Sequence, residues 1–238
     1  MKQYHWNYLL SLAIILLIFF CGCALSDNTP TPTSPPEPES SIIELPEPQY
    51  DSDVSIEQSL LRRRSIRSYT GESLMLQEVA QLLWAAQGIT DPTGFRTAPS
   101  AGALYPLELY VVAGDVQDLS PGVYRYEPLK HELVRTMEGD KRVELANAAL
   151  GQHFIGEGAI VIVFTAVYEK TTGKYGDRGI RYVHMEVGHA AQNLCLQAAS
   201  MDLGVVTVGA FYNEQVGELL DLPGDEQPLY VIPVGRKQ

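Results

Sequence analysis

This chain is short of cysteine and short of positive charge, and each shortage closes a class of function. Of three cysteines in 238 residues, Cys21 and Cys23 fall in the N-terminal stretch, which leaves Cys195 alone in the remainder. A lone thiol makes no internal disulfide, and neither CxxC nor a Cys/His spacing suited to zinc occurs. Cys195 lies in a helical apolar pattern and reads as a small buried hydrophobe rather than a nucleophile. Lys and Arg number 17 against 29 Asp and Glu, a net charge of −12. That balance argues against general affinity for nucleic acid or for anionic membrane surfaces. With neither GxxxxGK[ST] nor GxGxxG after a strand in the sequence, P-loop and Rossmann sites are not expected. His184, Glu186 and His189 invite a zinc reading. However, HExxH is absent, and two histidines five apart on a helix point roughly 140° from each other. Glu186, His189 and Asn193 do share one face, and such a polar stripe on an apolar helix is expected to form a buried network or an interface.

Lys2 and His5 precede an apolar run over residues 9–20, followed by Cys21, Gly22 and Cys23. A charged start, a short apolar core and small residues describe a secretory signal over residues 1–25. Phe20-Cys21-Gly22-Cys23 resembles a bacterial lipobox that would lipidate Cys23, although such a box usually begins with Leu. An uncleaved signal anchor is the alternative, because residues 8–25 stretch toward a membrane span. On either reading the remainder is expected outside the cytoplasmic membrane and anchored to it. Residues 26–53 are dense in Pro, Ser, Thr and Glu and read as a disordered tether, so the folded domain is expected over 54–238.

Within that domain, helices are expected at 56–64, at 76–87 closed by Gly88, at 140–150, at 179–202 stopped by Gly204, and at 214–220. Strands are expected at 107–113, 123–126, 159–167, 205–211 and 229–234. The run AIVIVFTAV at 159–167 is apolar throughout, the mark of a strand buried on both faces. Val183, Val187, Ala190, Leu194, Ala198 and Met201 recur along one face of the longest helix. The pattern is α+β, with helices grouped around a small central sheet.

Three segments carry candidate chemistry. Arg62, Arg63, Arg64 and Arg67 place four of the 17 Lys and Arg within six residues, beside Ser65, at a helix end. Guanidinium groups give bidentate, permanently charged contacts to phosphate, and a Ser hydroxyl adds a donor. The plainer alternative is a solvated basic helix end. Arg96-Thr97-Ala98-Pro99-Ser100-Ala101-Gly102-Ala103-Leu104-Tyr105-Pro106 sets small residues between two prolines, a stiff loop whose backbone can approach a flat ligand, or an ordinary tight loop. Val208-Gly209 and Gly235-Arg236 end two strands, where glycine permits close approach. Arg236 could reach an anion gathered by the first cluster, or sit on a frayed terminus.

Taken together, RRRSIRSYT at 62–70, APSAGALYPLELY at 98–110, KYGDRGIRY at 174–182, EVGHAAQNLCLQAASMDLG at 186–204 and PVGR at 233–236 resemble the nitroreductase family, most closely its SagB-type branch of FMN-dependent dehydrogenases. The resemblance covers essentially all of 54–237. It implies an α+β sandwich with a mainly antiparallel sheet flanked by helices, and an intertwined homodimer with two FMN sites at the subunit interface. It assigns Arg63, Arg64, Ser65, Arg67 and Arg236 to the phosphate and ribityl chain. Pro99, Ser100, Ala101 and Ala103 would lie along the flavin ring, with Val208 and Gly209 on its other side. Many family members carry a side-chain amide in that loop; here Ala103 and Leu104 leave mostly backbone contacts. Lys174-Tyr175 resembles the pair that assists proton removal in SagB-like azoline dehydrogenases, with a solvated Lys in a Gly-rich loop as the alternative. Three activities follow as expectations. One is an oxidoreductase reducing a small organic acceptor from NAD(P)H or an extracytoplasmic reductant, another a dehydrogenase of an azoline-type or other heterocycle, and the third a flavin- or ligand-binding lipoprotein without turnover.

Overall fold

The apolar run at 160–167 decides the architecture, because both of its faces need cover. The structure is a computed structural model that describes residues 41–238; the expected leader, and the tether as far as residue 40, lie outside them. In order, its elements are β1 (Ile42–Glu44), α1 (Ile56–Arg62), β2 (Leu74–Met75), α2 (Leu76–Gln87), β3 (Leu107–Ala113), β4 (Val116–Gln117), β5 (Gly122–Glu127), β6 (Glu132–Glu138), α3 (Arg142–Ala148), α4 (Phe154–Glu157), β7 (Ile160–Val167), α5 (Glu169–Tyr175), α6 (Arg178–Ser200), β8 (Leu203–Val205), α7 (Asn213–Leu219) and β9 (Glu226–Arg236). A single 3₁₀ turn at Ala101–Ala103 precedes β3.

Seven strands form one sheet in the order β1-β6-β5-β3-β7-β9-β8, and every neighbouring pair is antiparallel. Short β2 and β4 pair in parallel beside it. Strand β7 lies inside the sheet, between β3 and β9, and is buried along nearly all its length. Its side chains alternate: Ile160, Ile162, Phe164 and Ala166 enter the core beneath α2 and α6, while Val161 and Val163 enter the one beneath α3 and α7. Helices therefore cover both faces, as a doubly apolar strand requires.

Helix α2 starts where the Glu78 carboxylate turns back to accept from the Met75 backbone N–H at 2.8 Å, and it ends at Gly88 as expected. Central helix α6 buries Val183, Val187, Ala190, Leu194 and Ala198, which confirms the face expected for it. Cys195 is buried too, and burial pushes its thiol up to about 11, in keeping with an inert hydrophobe.

Three expectations need correcting. The segment 41–53 is not all tether, because Ile42–Glu44 pairs with Val134–Glu132 and closes the β6 edge of the sheet. The tether composition hid it: Ile42 and Ile43 carry β propensity but are set among Ser, Glu and Pro. The strand expected over 205–211 ends at Val205. Its pairing with β9 resumes in register at Val208, which exchanges two 2.9 Å bonds with Val231. The missing rung falls opposite Pro233, which has no N–H to give. Finally, the stretch around Lys174 is the last turn of α5 rather than an open loop.

Candidate active site

Helix α1 ends at Arg62, and the chain leaves it extended. Ser65 forms a parallel bridge with Val205 and Tyr69 an antiparallel one with Lys237; Ile66 N donates to Val205 O and Thr70 N to Arg236 O, each at 2.9 Å. The segment can lie this close because Gly204 and Gly235 lack side chains. A Cβ there would come within 2.8 Å of Ile66 Cγ2 and 2.9 Å of Tyr69 Cδ1.

Arg64, Ser65 and Arg67 are exposed on this segment and Arg63 is half-buried. Among the described residues, Arg63, Arg64 and Arg67 enter none of the ion pairs. Arg64 Nη1 turns back to the carbonyls of Leu61 and Arg63, at 2.9 and 2.7 Å. The Arg67 guanidinium sits over the Phe154 ring, 5.7 Å from its centroid. Three guanidinium charges without a carboxylate, in a chain of net charge −12, form a ready receptor for an anion.

Arg236, expected beside that anion, faces elsewhere. Its Nη1 and Nη2 donate to Glu78 Oε1 and Oε2 at 2.6 and 2.8 Å, a bidentate pair on the carboxylate that also starts α2. Val208 is buried in the sheet margin, whereas Gly209 is exposed and has room for a Cβ, with only Tyr230 Cε1 at 3.7 Å.

The loop at 98–106 is strained. Gly102, Ala103 and Tyr105 all have positive φ, at 66°, 54° and 47°, unusual for the two non-glycine residues. Its left-handed backbone favours Gly102 here, and the space beside it is taken by two side-chain ends: a Cβ would meet Tyr175 Oη at 2.7 Å and Lys174 Nζ at 2.9 Å. The two expected catalytic side chains therefore converge on the loop expected to carry the ring. The Lys174 ammonium lies 5.4 Å from the Tyr175 ring centroid, and Tyr182 packs edge-on against that ring at 5.2 Å. Pro99 and Ala103 are exposed and Ala101 is half-buried, leaving an open backbone surface.

Ser100 faces inward. Its hydroxyl donates to Glu186 Oε2 at 2.6 Å and accepts from the Tyr105 N–H at 2.9 Å. Glu186 is 3% exposed, and burial raises its carboxyl to about 7 despite the Ser100 bond and the Arg96 charge. Arg96 stacks on Tyr105, 4.6 Å from its centroid, and donates to Gln87 Oε1 at 2.8 Å. Asn193 Nδ2 donates to Thr97 O at 3.2 Å. The expected polar stripe thus exists for Glu186 and Asn193, while His189 is exposed. Arg96 and Tyr105 are the residues that sequence reasoning missed; both stand inside the 96–106 segment, but only stacking gives them a part.

The expected site residues fall into two groups within one chain. Glu186 marks the ring loop on α6, and Cys195, whose thiol feels the Arg63 charge, marks the arginine segment. Nine residues of helix separate the two by about 13 Å of rise, roughly two and a half turns. A separate cleft of about 1080 Å³ runs between the 49–54 stretch, α2 and the end of α6, past Tyr50, Trp84 and Gln197. None of the expected site residues lines it.

Residues 60–236 match the nitroreductase family. The chain belongs to that family. It is 50% identical over 195 residues to MJ1384 of Methanocaldococcus jannaschii, a protein named for the same family, covering 82% of this chain and 96% of that one. The microcin B17-processing protein McbC of Escherichia coli is 28% identical over 156 residues, 63% of this chain and 57% of McbC. The NADPH-flavin oxidoreductase of Vibrio harveyi is 32% identical over 111 residues, 43% of this chain and 46% of that enzyme. Among solved structures, a nitroreductase-family protein from Ralstonia eutropha superposes with a TM-score of 0.74 at 30% identity, covering 84% of this chain and 90% of its own. This nitroreductase-family oxidoreductase thus matches nearly the whole of some relatives and about half of others.

Proposed function

We propose that the chain is an FMN-dependent oxidoreductase passing hydride or electron pairs between a reduced donor and a small organic acceptor. The observation that carries this reading is the pairing of an uncompensated arginine segment with a strained, backbone-faced loop. The donor set suits a flavin mononucleotide: guanidinium groups and a hydroxyl for its phosphate, open backbone for its flat ring. FMN, when bound, accepts and returns hydride. Arg63, Arg64, Ser65 and Arg67 would hold the phosphate, and the Pro99–Ala103 backbone would bear on the ring. Relatedness to a flavin oxidoreductase supports the same reading.

The two groups of site residues point toward different ends of α6, so neither forms a full cradle alone. A two-fold homodimer that joins the arginine segment of one copy to the ring loop of the other would complete two sites.

A second reading, a SagB-like dehydrogenase of an azoline-type or other heterocycle, is favoured by the convergence of Lys174 and Tyr175 on Gly102. There Lys174, in its neutral amine form, would take a substrate proton and the phenol would relay it. The N-terminal reading adds a proposed location, outside the cytoplasmic membrane and held by Cys23 or by a signal anchor. Loss of membrane attachment in Cys23→Ala would support lipidation.

The deciding experiment is the visible spectrum of the full chain purified without added cofactor, followed by anaerobic mixing. A yellow protein that releases FMN on denaturation supports the cofactor. Bleaching by NAD(P)H favours the first activity, and bleaching only by an organic substrate favours the second. A protein that neither carries nor takes up FMN overturns both.

A further inference from the structure

Glu186 takes no direct part in the chemistry above, yet it is the most deeply buried ionisable group touching the ring loop. Its Oε2 receives the Ser100 hydroxyl at 2.6 Å, and the same hydroxyl oxygen receives the Tyr105 N–H at 2.9 Å. One side chain on a rigid central helix therefore ties together both ends of the turn that contains Gly102, Ala103 and Tyr105, all at positive φ. Its other oxygen, Oε1, is buried without a partner, as is Nε of Arg96 across the loop. An acceptor left bare in this way is costly when charged and far less so when neutral.

We propose that Glu186 is the positioning residue of the 98–106 loop, a brace that holds the ligand-facing turn through Ser100 when protonated and slackens it when the proton leaves. The ligand half of this inference rests on the flavin reading; the brace itself does not. The charged and titratable groups around Glu186 are few. Arg96 approaches from the segment after α2, with Glu108 of β3 and Tyr126 of β5 acting on it in turn. Tyr105 lies on the loop, and Lys174 and Tyr175 reach Gly102 from α5. Tyr182 and His189 stand on α6 itself, His189 exposed. The Ser100 bond and the Arg96 charge both favour the ionised carboxylate, and burial outweighs the two together. Closing the loop buries the carboxyl, so proton uptake and loop closure favour each other.

The test is amide hydrogen exchange of the full chain without added ligand at pH 6 and pH 8, corrected for intrinsic rates. For wild type, protection of the Tyr105 amide should fall about tenfold between the two, the change expected for a group near 7 when covered and in the ordinary carboxylate range when open. In Glu186→Gln, which keeps the acceptor but cannot ionise, protection should stay at its pH 6 level. Ser100→Ala should lose the step as well, with protection in β7 unchanged as the control for folding. In parallel, FMN titrations should show the ratio of wild-type to Glu186→Gln Kd rising severalfold from pH 6 to pH 8. The phosphate's own ionisation near 6 is common to both proteins and cancels in that ratio. A flat Tyr105 profile in wild type, or a step retained in Glu186→Gln, overturns the brace. A step in exchange with a flat Kd ratio overturns its coupling to the ligand. If no FMN binds to either protein while the exchange step is present, the flavin reading fails and the brace stands.

Discussion

Arg67 and Arg236 carry the same charge and were read from the sequence as partners on one phosphate, but their surroundings separate them. Arg67 is exposed over Phe154, while Arg236 holds the nearly buried Glu78 at 2.6 Å. Arg67→Ala should weaken FMN binding about tenfold or more, the worth of one charge-assisted bond of roughly 1.5–3 kcal/mol, and leave Tm unchanged. Arg236→Ala should lower Tm by several degrees, because it strands the Glu78 carboxylate. Flavin fluorescence titration and calorimetry on both variants separate the two effects; equal losses of affinity would return Arg236 to the phosphate site. Lys174→Ala should keep its flavin but slow substrate oxidation, and full retained activity would remove Lys174 from the mechanism. For Glu186 the sign follows from burial. Between pH about 4.5 and 7 the folded chain keeps a proton that the unfolded chain has lost, so this group's contribution to stability falls as pH rises across that window. Glu186→Gln should therefore gain Tm over wild type at pH 8 and gain nothing below pH 4.5. At this chain length each kcal/mol is worth roughly 2–4 °C.

Single elements were legible where one local signal dominated. The α2 helix, between Glu78 and Gly88, and the uninterrupted apolar run of β7 have one physical solution each. Strand β6 was missed because its sequence, ELVRTME, carries three charged residues and no apolar/polar alternation, a pattern that a loop of this composition shares. Strand β1 was missed because its stability comes from pairing with β6, 90 residues away in register, and not from its own three residues. The candidate site was legible as motifs, since arginines and tight loops announce themselves. Its geometry was not, because stacking of Arg96 on Tyr105 and the bond from Ser100 to Glu186 exist only once α6 is in place. A consequence at this scale is testable: a chain beginning at residue 54 should be less stable and more prone to associate through its bare β6 edge than one beginning at residue 41. Thermal unfolding and light scattering of the two truncated chains check this, and equal behaviour would mean that β1 is dispensable.

For the whole molecule, the separation of the two half-sites along α6 sets a rule for mixed assemblies. If each flavin cradle joins the arginine segment of one copy to the ring loop of the other, then Arg67→Ala and an ring-loop variant such as Ala103→Asp should each bind poorly alone. Co-expressed, they should recover up to one intact site per heterodimer, because both lesions then fall in the same cradle. Flavin content of the purified heterodimer reads this directly. No recovery would mean that each cradle is built within a single chain.

If the uncompensated arginines take a phosphate, they also set how the molecule that bears it arrives. A particle of net charge −12 repels an anion at long range, and the pull of the 63–67 segment takes over only within about one screening length, near 10 Å at 0.1 M salt. Moderate salt therefore removes a barrier to encounter before it weakens the final contact. Cofactor loading should quicken as ionic strength first rises, the reverse of the behaviour of a basic protein steering an anionic ligand home.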